Sequence, residues 1–139
     1  MARILVIDDD QFVRRTIKFL LHALGHDAAE AENGRKGVDM YRAQRYDVVI
    51  TDMVMPVQDG LETIRLLLSE FRQVPIIAMS GGATALGKAR LADASDAGAM
   101  AALTKPFTIE ELLMALVKCQ EHGVGSQMAP FRAVACASR

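Results

Sequence analysis

The sequence predicts an α/β fold in which a doubly wound parallel sheet is covered by helices on both faces. Five short apolar runs of strand length alternate along the 139-residue chain with five segments of helical period. The runs are mostly uninterrupted, which is typical of strands buried on both faces, and such alternation implies right-handed crossovers between parallel strands. A chain of this length is expected to form one domain with its own core.

The first half of the chain contains three predicted strands and two predicted helices. The strands are expected at residues 4–7, 26–31 and 48–51. Between the first two, apolar residues recur at helical spacing, namely Val13, Ile17, Leu20 and Leu24. Gly25 follows them in the position of a helix C-terminal glycine. Asn33-Gly34 marks a turn before the second helix, which is predicted over residues 35–43.

The second half repeats the alternation. Pro56 and Gly60 mark an irregular loop before a third helix. Its apolar residues are Leu61, Ile64, Leu67, Leu68 and Phe71. A fourth strand is predicted over 75–79 and a fifth over 99–103. Between them, an alanine-rich fourth helix is predicted from about residue 88 to residue 97.

The fifth helix has the strongest sequence signal for its start. Thr108 and Glu111 form a T-x-x-E capping box, in which each side chain accepts a hydrogen bond from the backbone of the other residue. Phe107 and Leu112 occupy the positions of a hydrophobic staple around that cap. The pattern therefore predicts that the helix begins directly after Thr108.

Composition argues against several classes of function. The formal net charge is −1 and no basic stripe is present, which argues against direct nucleic-acid binding. No apolar run approaches membrane-spanning length and the first residues lack a signal-peptide core, so the sequence predicts a cytoplasmic protein without a membrane partner. The two cysteines, Cys119 and Cys136, have neither metal-ligand spacing nor a disulfide framework.

Polar side chains that could carry chemistry follow four of the predicted strands. The first strand leads into three consecutive aspartates, at positions 8–10, and the third leads into Asp52. Ser80 follows the fourth strand, and Lys105 follows the fifth. Open parallel sheets bind ligands beyond the carboxyl ends of their strands, so these residues are expected to converge. Asp10, which opens the first helix, is interpreted as its cap.

Carboxylates that meet at one edge of a sheet repel each other, so they either share a proton or hold a cation. Ligands that are all oxygen favour Mg²⁺, or Mn²⁺, over zinc. A metal of this kind neutralises the oxygens of an incoming phosphoryl group, and a lysine and a hydroxyl nearby can bind the others. The four strand ends therefore indicate metal-dependent phosphoryl chemistry.

Four motifs, in this order and spacing, resemble the receiver domain of two-component response regulators. They are "ILVIDDD", "DVVITDMVMPVQDG", "PIIAMSG" and "LTKPF". The resemblance covers roughly residues 2–121 and implies a flavodoxin-like receiver fold with strand order 2-1-3-4-5. It implies a domain over residues 1–122. Residues 123–139 are rich in Gly and Ala without a clear period, and they are expected to be a linker stub, a disordered end or a partner-docking segment.

By this resemblance, Asp52 is the phosphoacceptor and takes its phosphoryl group from a sensor histidine kinase or a histidine phosphotransfer protein. Asp8, Asp9, Asp52 and the backbone carbonyl of Val54 would hold the Mg²⁺. The domain would promote its own phosphorylation and dephosphorylation, as a switch and not as an enzyme with a separate substrate. It would then signal by a conformational change to a downstream protein target.

The resemblance also gives Ser80 and Lys105 their roles. Each would bind one oxygen of the phosphoryl group, and the Lys105-Pro106 peptide bond would be cis. One residue departs from the pattern, because Ala102 stands where many receivers have a strand 5 aromatic that switches its position. The tail is too short for an output domain, so a single-domain receiver that acts through protein contacts is expected.

Three other functions are weighed against this one. Gly82 to Lys88 spells G-x-x-x-x-G-K, but Ala89 lacks the hydroxyl that a Walker nucleotide-binding loop requires next. A haloacid-dehalogenase-type phosphatase needs a second acid two residues after its nucleophile, where Val54 stands. A binding-only adaptor that is not phosphorylated stays open, although the intact set of acids, hydroxyl and lysine argues against it.

Overall fold

The computed structural model describes residues 1–55, 57–81 and 84–122. Strands and helices alternate along this part of the chain. The strands are β1 (Arg3–Ile7), β2 (Asp27–Ala31), β3 (Val48–Asp52), β4 (Ile76–Gly81) and β5 (Ala101–Lys105). The helices are α1 (Gln11–Ala23), α2 (Gly34–Ala43), α3 (Gly60–Glu70), α4 (Ala85–Ala97) and α5 (Ile109–His122). The predicted alternation is confirmed.

All five strands of the described sheet are parallel, in the order β2-β1-β3-β4-β5. This confirms the α/β class and the order that the receiver resemblance implied. The chain moves outward from β1 to β2 on one side and from β3 to β5 on the other, so the order reverses between β1 and β3. The carboxyl ends of these two neighbouring strands flank the crevice where such sheets bind ligands.

The sheet separates two apolar clusters, which explains why its strands read as continuous apolar runs. In β1, Ile4 and Val6 point into one cluster, whereas Leu5 and Ile7 point into the other. The first cluster is closed by α1 and α5, and the second by α2, α3 and α4. Because successive side chains of a strand face opposite sides, a strand covered on both sides needs apolar residues at every position.

Several boundaries differ by one to three residues from the sequence predictions; β4, for example, ends at Gly81 instead of at residue 79, so Ser80 lies within it. The physical reason is visible for α4 and β5. α4 begins three residues earlier than predicted, because the Thr84 hydroxyl caps it by accepting a hydrogen bond from the Gly87 backbone N–H at 3.0 Å. β5 begins and ends two residues later than predicted. The apolar residue Ala99 lies in the turn that ends α4, where its N–H donates to the Ala94 carbonyl at 2.9 Å. Lys105 therefore lies within β5, at its end.

The predicted helix caps are confirmed. The Asp10 carboxylate accepts hydrogen bonds from the backbone of Phe12 and Val13, at 2.8 and 3.3 Å. In the capping box of α5, the Thr108 N–H donates to Glu111 at 2.8 Å and the Glu111 N–H donates to the Thr108 hydroxyl at 3.1 Å. The first cap fixes the direction in which the chain leaves the acidic segment after β1.

Among the residues that the structure describes, no helix is long and apolar enough to cross a membrane. Cys119 is a free cysteine, fully buried in the cluster beneath α5, and burial raises the pKa of its thiol to about 12. Cys136 and the predicted tail over 123–139 lie outside the described residues.

A buried histidine makes the stability of the fold depend on pH. The Nδ1 atom of His26 accepts a hydrogen bond from the Ala2 backbone N–H at 3.0 Å, which requires that this nitrogen be unprotonated. Burial lowers the pKa of His26 below its ordinary value of 6.5, against the opposing charge of Asp47. The unfolded chain therefore binds the proton more readily, and the free energy of unfolding falls as the pH drops below 6.5.

We expect His26→Asn to weaken this pH dependence, because the Asn amide does not titrate and its oxygen can accept the same hydrogen bond. Urea unfolding of parent and variant at about pH 7.5 and about pH 5.5 measures the change. His22→Asn, at an exposed site on α1, is the matched control. An unchanged difference between the two pH values in His26→Asn would show that another group carries the dependence.

Candidate functional site

Three carboxylates meet at the carboxyl edge of the sheet, between β1 and β3. Asp8 directly follows β1, Asp52 is the last residue of β3, and Asp9 lies beside them in the segment that leads to α1. One oxygen from each of the three side chains lies within 4.8 Å of the other two. Asp8 and Asp52 are 1% and 5% exposed, whereas Asp9 is exposed. The predicted convergence of these acids is confirmed.

Lys105 reaches this cluster from the far edge strand. Its Nζ lies 3.1 Å from Asp8 Oδ2 and 3.1 Å from Asp52 Oδ1, so one ammonium group bridges the two buried carboxylates. The Lys105-Pro106 peptide bond is cis, as the resemblance implied. The cluster then holds three carboxylates against one ammonium, which leaves it negative when all four groups are charged.

Burial and mutual repulsion shift the ionisation of the cluster. Burial, and then the charge of Asp8, raise the pKa of Asp52 above its ordinary value, against the opposing effect of Lys105. Burial also raises the pKa of Asp8, although a backbone hydrogen bond from Asp10 and the Lys105 charge oppose the shift. Burial alone would lower the pKa of Lys105, but the two carboxylates outweigh it and the pKa is raised. The lysine is therefore cationic at neutral pH.

The segment that carries Asp8 and Asp9 is held in place by three hydrogen bonds to Asp8. Its backbone N–H donates to the Ala31 carbonyl at 3.1 Å, and its carboxylate accepts from the Asp10 N–H at 2.9 Å. Its carbonyl accepts from an Nη of Arg14 at 2.7 Å. Arg14 is not among the residues predicted from the sequence, and its one signal there is its position one helical turn after the Asp10 cap.

The chain after Asp52 turns away from the sheet through a tight loop. The Met53 N–H continues the pairing with β4 by donating to the Met79 carbonyl at 2.9 Å, and the Met53 carbonyl accepts from the Gly60 N–H at 3.2 Å. A side chain at position 60 would lie 2.6 Å from the Met53 Cα, which explains the glycine there. Val54 comes next in this loop, at the carboxyl edge, and is 54% exposed.

Ser80 lies at the same edge and is 2% exposed. Asp52 pairs in register with Met79, so Ser80 is one residue further along the neighbouring strand, and it pairs in turn with Thr104 of β5. Ala102 lies near the amino end of β5, where it pairs with Ala78, and it is exposed. The structure thus brings all the predicted site residues to one edge of the sheet.

The Walker-like stretch lies only in part within the described residues, which omit positions 82 and 83. Gly87 is buried in the first turn of α4, and Lys88 is exposed on the same helix. The three acids of the cluster lie at the ends of β1 and β3, and none of them belongs to the Walker-like stretch. No feature of the described part of the stretch supports phosphate binding there.

Comparison of sequences finds one family over most of the chain. The family model of the response regulator receiver domain matches residues 4–117. Response regulator MprA of Mycolicibacterium vanbaalenii is 40% identical over 112 residues, which are 81% of this chain and 47% of that protein. The protein of the same name from Mycobacterium bovis is 39% identical over 112 residues, with the same coverage. The chain spans about half the length of these curated relatives.

Comparison of structures also finds response regulators. A response regulator receiver domain from Clostridium thermocellum has a TM-score of 0.77 at 32% sequence identity, with 87% of this chain and 95% of that chain covered. A chemotaxis response regulator of Vibrio cholerae has a TM-score of 0.76 at 28% identity, with 86% and 98% covered. Sequence and fold are therefore similar to the same set of proteins.

Proposed function

Because the chain belongs to the response regulator receiver domain family, we propose that it accepts a phosphoryl group on Asp52 in a Mg²⁺-dependent reaction and signals to a protein partner. The family is a signalling switch of two-component systems and not a class of enzymes in the usual sense. The observation that carries the proposal is the cluster itself, in which Asp52 is buried beside Asp8 and bridged to it by Lys105.

The donor atoms of the cluster fit a small, hard cation. Receiver domains use Mg²⁺, which prefers oxygen ligands, and the side chains of Asp8, Asp9 and Asp52 offer carboxylate oxygens within 4.8 Å of one another. We assign Mg²⁺, or Mn²⁺ in its place, to these three residues and to the backbone carbonyl of Val54. When bound, the ion neutralises carboxylate charge and the oxygens of the phosphoryl group.

The side chains of the chain itself perform the remaining chemistry. An oxygen of the Asp52 carboxylate attacks the phosphorus of a phosphohistidine, the P–N bond breaks, and its electron pair stays on the departing imidazole. The transition state is loose and resembles metaphosphate, so positioning and charge neutralisation dominate. Lys105 exchanges its contact with Asp52 for one phosphoryl oxygen, and the Ser80 hydroxyl donates a hydrogen bond to another.

Response regulators act between histidine kinases and downstream targets. For this chain, we assign the donor role to a sensor histidine kinase or a histidine phosphotransfer protein and the target role to a protein. The output is direct protein contact, without nucleic acid or membrane. Acetyl phosphate tests the first step without a kinase. We expect it to phosphorylate the protein with Mg²⁺ present and not in EDTA, whereas a binding-only adaptor would stay unmodified in both.

Mg²⁺ is expected to stabilise the fold through the same site. At about a hundred times its dissociation constant, a ligand that binds only the native state adds about 2.7 kcal/mol to the free energy of unfolding. Asp9→Asn should reduce the Mg²⁺-dependent rise in Tm, since it replaces one charged carboxylate ligand by a neutral amide. Asp93→Asn, at an exposed position on α4, should leave the rise unchanged. A parent Tm that does not respond to millimolar Mg²⁺ would contradict the shared site.

A further inference from the structure

One of the hydrogen bonds that hold the acidic segment comes from an arginine that the phosphotransfer chemistry does not use. Arg14 lies in the second turn of α1, and its side chain is only 13% exposed. One end of its guanidinium donates to the Asp8 carbonyl at 2.7 Å, and its Nε donates to Glu30 of β2 at 3.0 Å. We propose that Arg14 is a positioning residue, which holds the Asp8-Asp9 segment in the geometry that binds the divalent cation.

The geometry of the guanidinium supports this role. Its N–H donors lie in one rigid plane. A guanidinium that donates hydrogen bonds to two acceptors therefore fixes the positions of those acceptors relative to each other. Here the partners are the Asp8 carbonyl and the Glu30 carboxylate, which belong to the segment after β1 and to β2. The Asp8 carboxylate is fixed separately by the Asp10 N–H at 2.9 Å. Because both the carbonyl and the carboxylate of Asp8 are held, the backbone position of the next residue, Asp9, is fixed as well.

Charge alone predicts the opposite effect on metal binding, so the two explanations can be separated. The cation of Arg14 lies close to a proposed Mg²⁺ site, and like charges repel. If only this charge mattered, its removal would strengthen Mg²⁺ binding. If Arg14 holds the ligands in place, its removal weakens binding, since groups that orient metal ligands contribute about tenfold or more to affinity.

The neighbouring arginine is a matched control. Arg15 carries the same charge and approaches the same Glu30 carboxylate, with 3.9 Å between Nε and Oε2, but its side chain is 66% exposed. Arg15→Met removes one positive charge next to Glu30 without removing the hydrogen bond from Arg14 to Asp8. Arg14→Lys keeps the charge and most of the buried stem but lacks the planar guanidinium. Glu30→Gln keeps an oxygen that can accept from Arg14.

The inference rests on the metal site of the proposed function, and the test is Mg²⁺ affinity of the full chain, measured from Tm over a Mg²⁺ titration. We expect Arg14→Met and Arg14→Lys to bind Mg²⁺ about tenfold more weakly than the parent. Arg15→Met should bind as the parent or more tightly, and Glu30→Gln close to the parent. Acetyl phosphate labelling of the two Arg14 variants should largely recover at saturating Mg²⁺, since the acceptor Asp52 is unchanged.

Parent-like or tighter Mg²⁺ binding in both Arg14 variants would overturn the positioning role. If Arg14→Met does not fold, Arg14→Lys decides the question, since it retains the charge and the apolar stem. An Arg15→Met variant that loses as much affinity as Arg14→Met would also overturn it, because the loss would then not depend on the hydrogen bond from Arg14 to Asp8. A parent that binds no Mg²⁺ would instead refute the proposed function on which the inference rests.

Discussion

Asp52→Asn is expected to abolish phosphorylation by acetyl phosphate in the presence of Mg²⁺. The amide that replaces the carboxylate is not a nucleophile toward phosphorus, and the other two acids of the cluster are placed as metal ligands. The variant should fold at least as well as the parent without metal. Burial and Asp8 raise the pKa of Asp52, so its ionised form is disfavoured in the folded state.

Intact-protein mass spectrometry after incubation with acetyl phosphate measures the modification of parent and variant together. Asp93→Asn, which changes an exposed acid on α4, is the control and should be labelled like the parent. Circular dichroism melting of Asp52→Asn checks that a loss of labelling does not come from a loss of folding. Undiminished labelling of Asp52→Asn would mean that another residue is the acceptor.

Lys105→Met is expected to lower the free energy of unfolding of the metal-free protein by about 2–3 kcal/mol at neutral pH. The variant leaves Asp8 and Asp52 buried without the ammonium that lies 3.1 Å from each of them. Removing one partner of a fully buried pair costs about 3–5 kcal/mol, and the smaller value allows for the 22% exposure of the Lys105 side chain. Urea unfolding in EDTA measures the difference.

This loss should depend on pH with a defined sign. Asp8 and Asp52 have raised pKa values in the folded state, so their protonated forms are favoured by folding. Their stabilising contribution is present below the unfolded value of 3.8 and is lost as the pH rises through the folded pKa values. Without the Lys105 charge these values rise further. The destabilisation by Lys105→Met is therefore largest at neutral pH and shrinks as the pH falls.

Two further variants distinguish the loss of the Lys105 bridge from the removal of any lysine. Lys88→Met, at an exposed site on α4, should change the free energy of unfolding by no more than about 0.5 kcal/mol. Asp52→Asn combined with Lys105→Met should cost less than the sum of the two single effects, because the removed groups interact directly. Equal losses in Lys88→Met and Lys105→Met would contradict the bridging role.

The fold could be predicted from the sequence because its signals are local. The run Ile4–Ile7 is apolar at every position since each side of the sheet is covered, and the Thr108 cap is visible as a four-residue pattern. The boundary of β5 could not be predicted. Ala99 is apolar and suits a strand, but its backbone N–H donates to the Ala94 carbonyl of α4, so pairing with β4 begins only with the residues that follow.

The site could be predicted to the extent that parallel strands place their carboxyl ends together. This rule brings Asp8, Asp52, Ser80 and Lys105 to one edge without any knowledge of strand order. It does not give the bridge from Lys105 to both acids, which depends on the order and register of the strands. Nor does it give Arg14, because an arginine on an amphipathic helix is normally exposed.

The central claim, that Asp52 is the phosphoacceptor, is tested most directly by locating the modified residue. After reaction with acetyl phosphate and Mg²⁺, borohydride reduces an aspartyl phosphate to homoserine, and tandem mass spectrometry of the peptides identifies the position. We expect homoserine at position 52 in the Mg²⁺ sample and none at that position in the EDTA sample. Homoserine at another aspartate, or equal amounts with and without Mg²⁺, would contradict it.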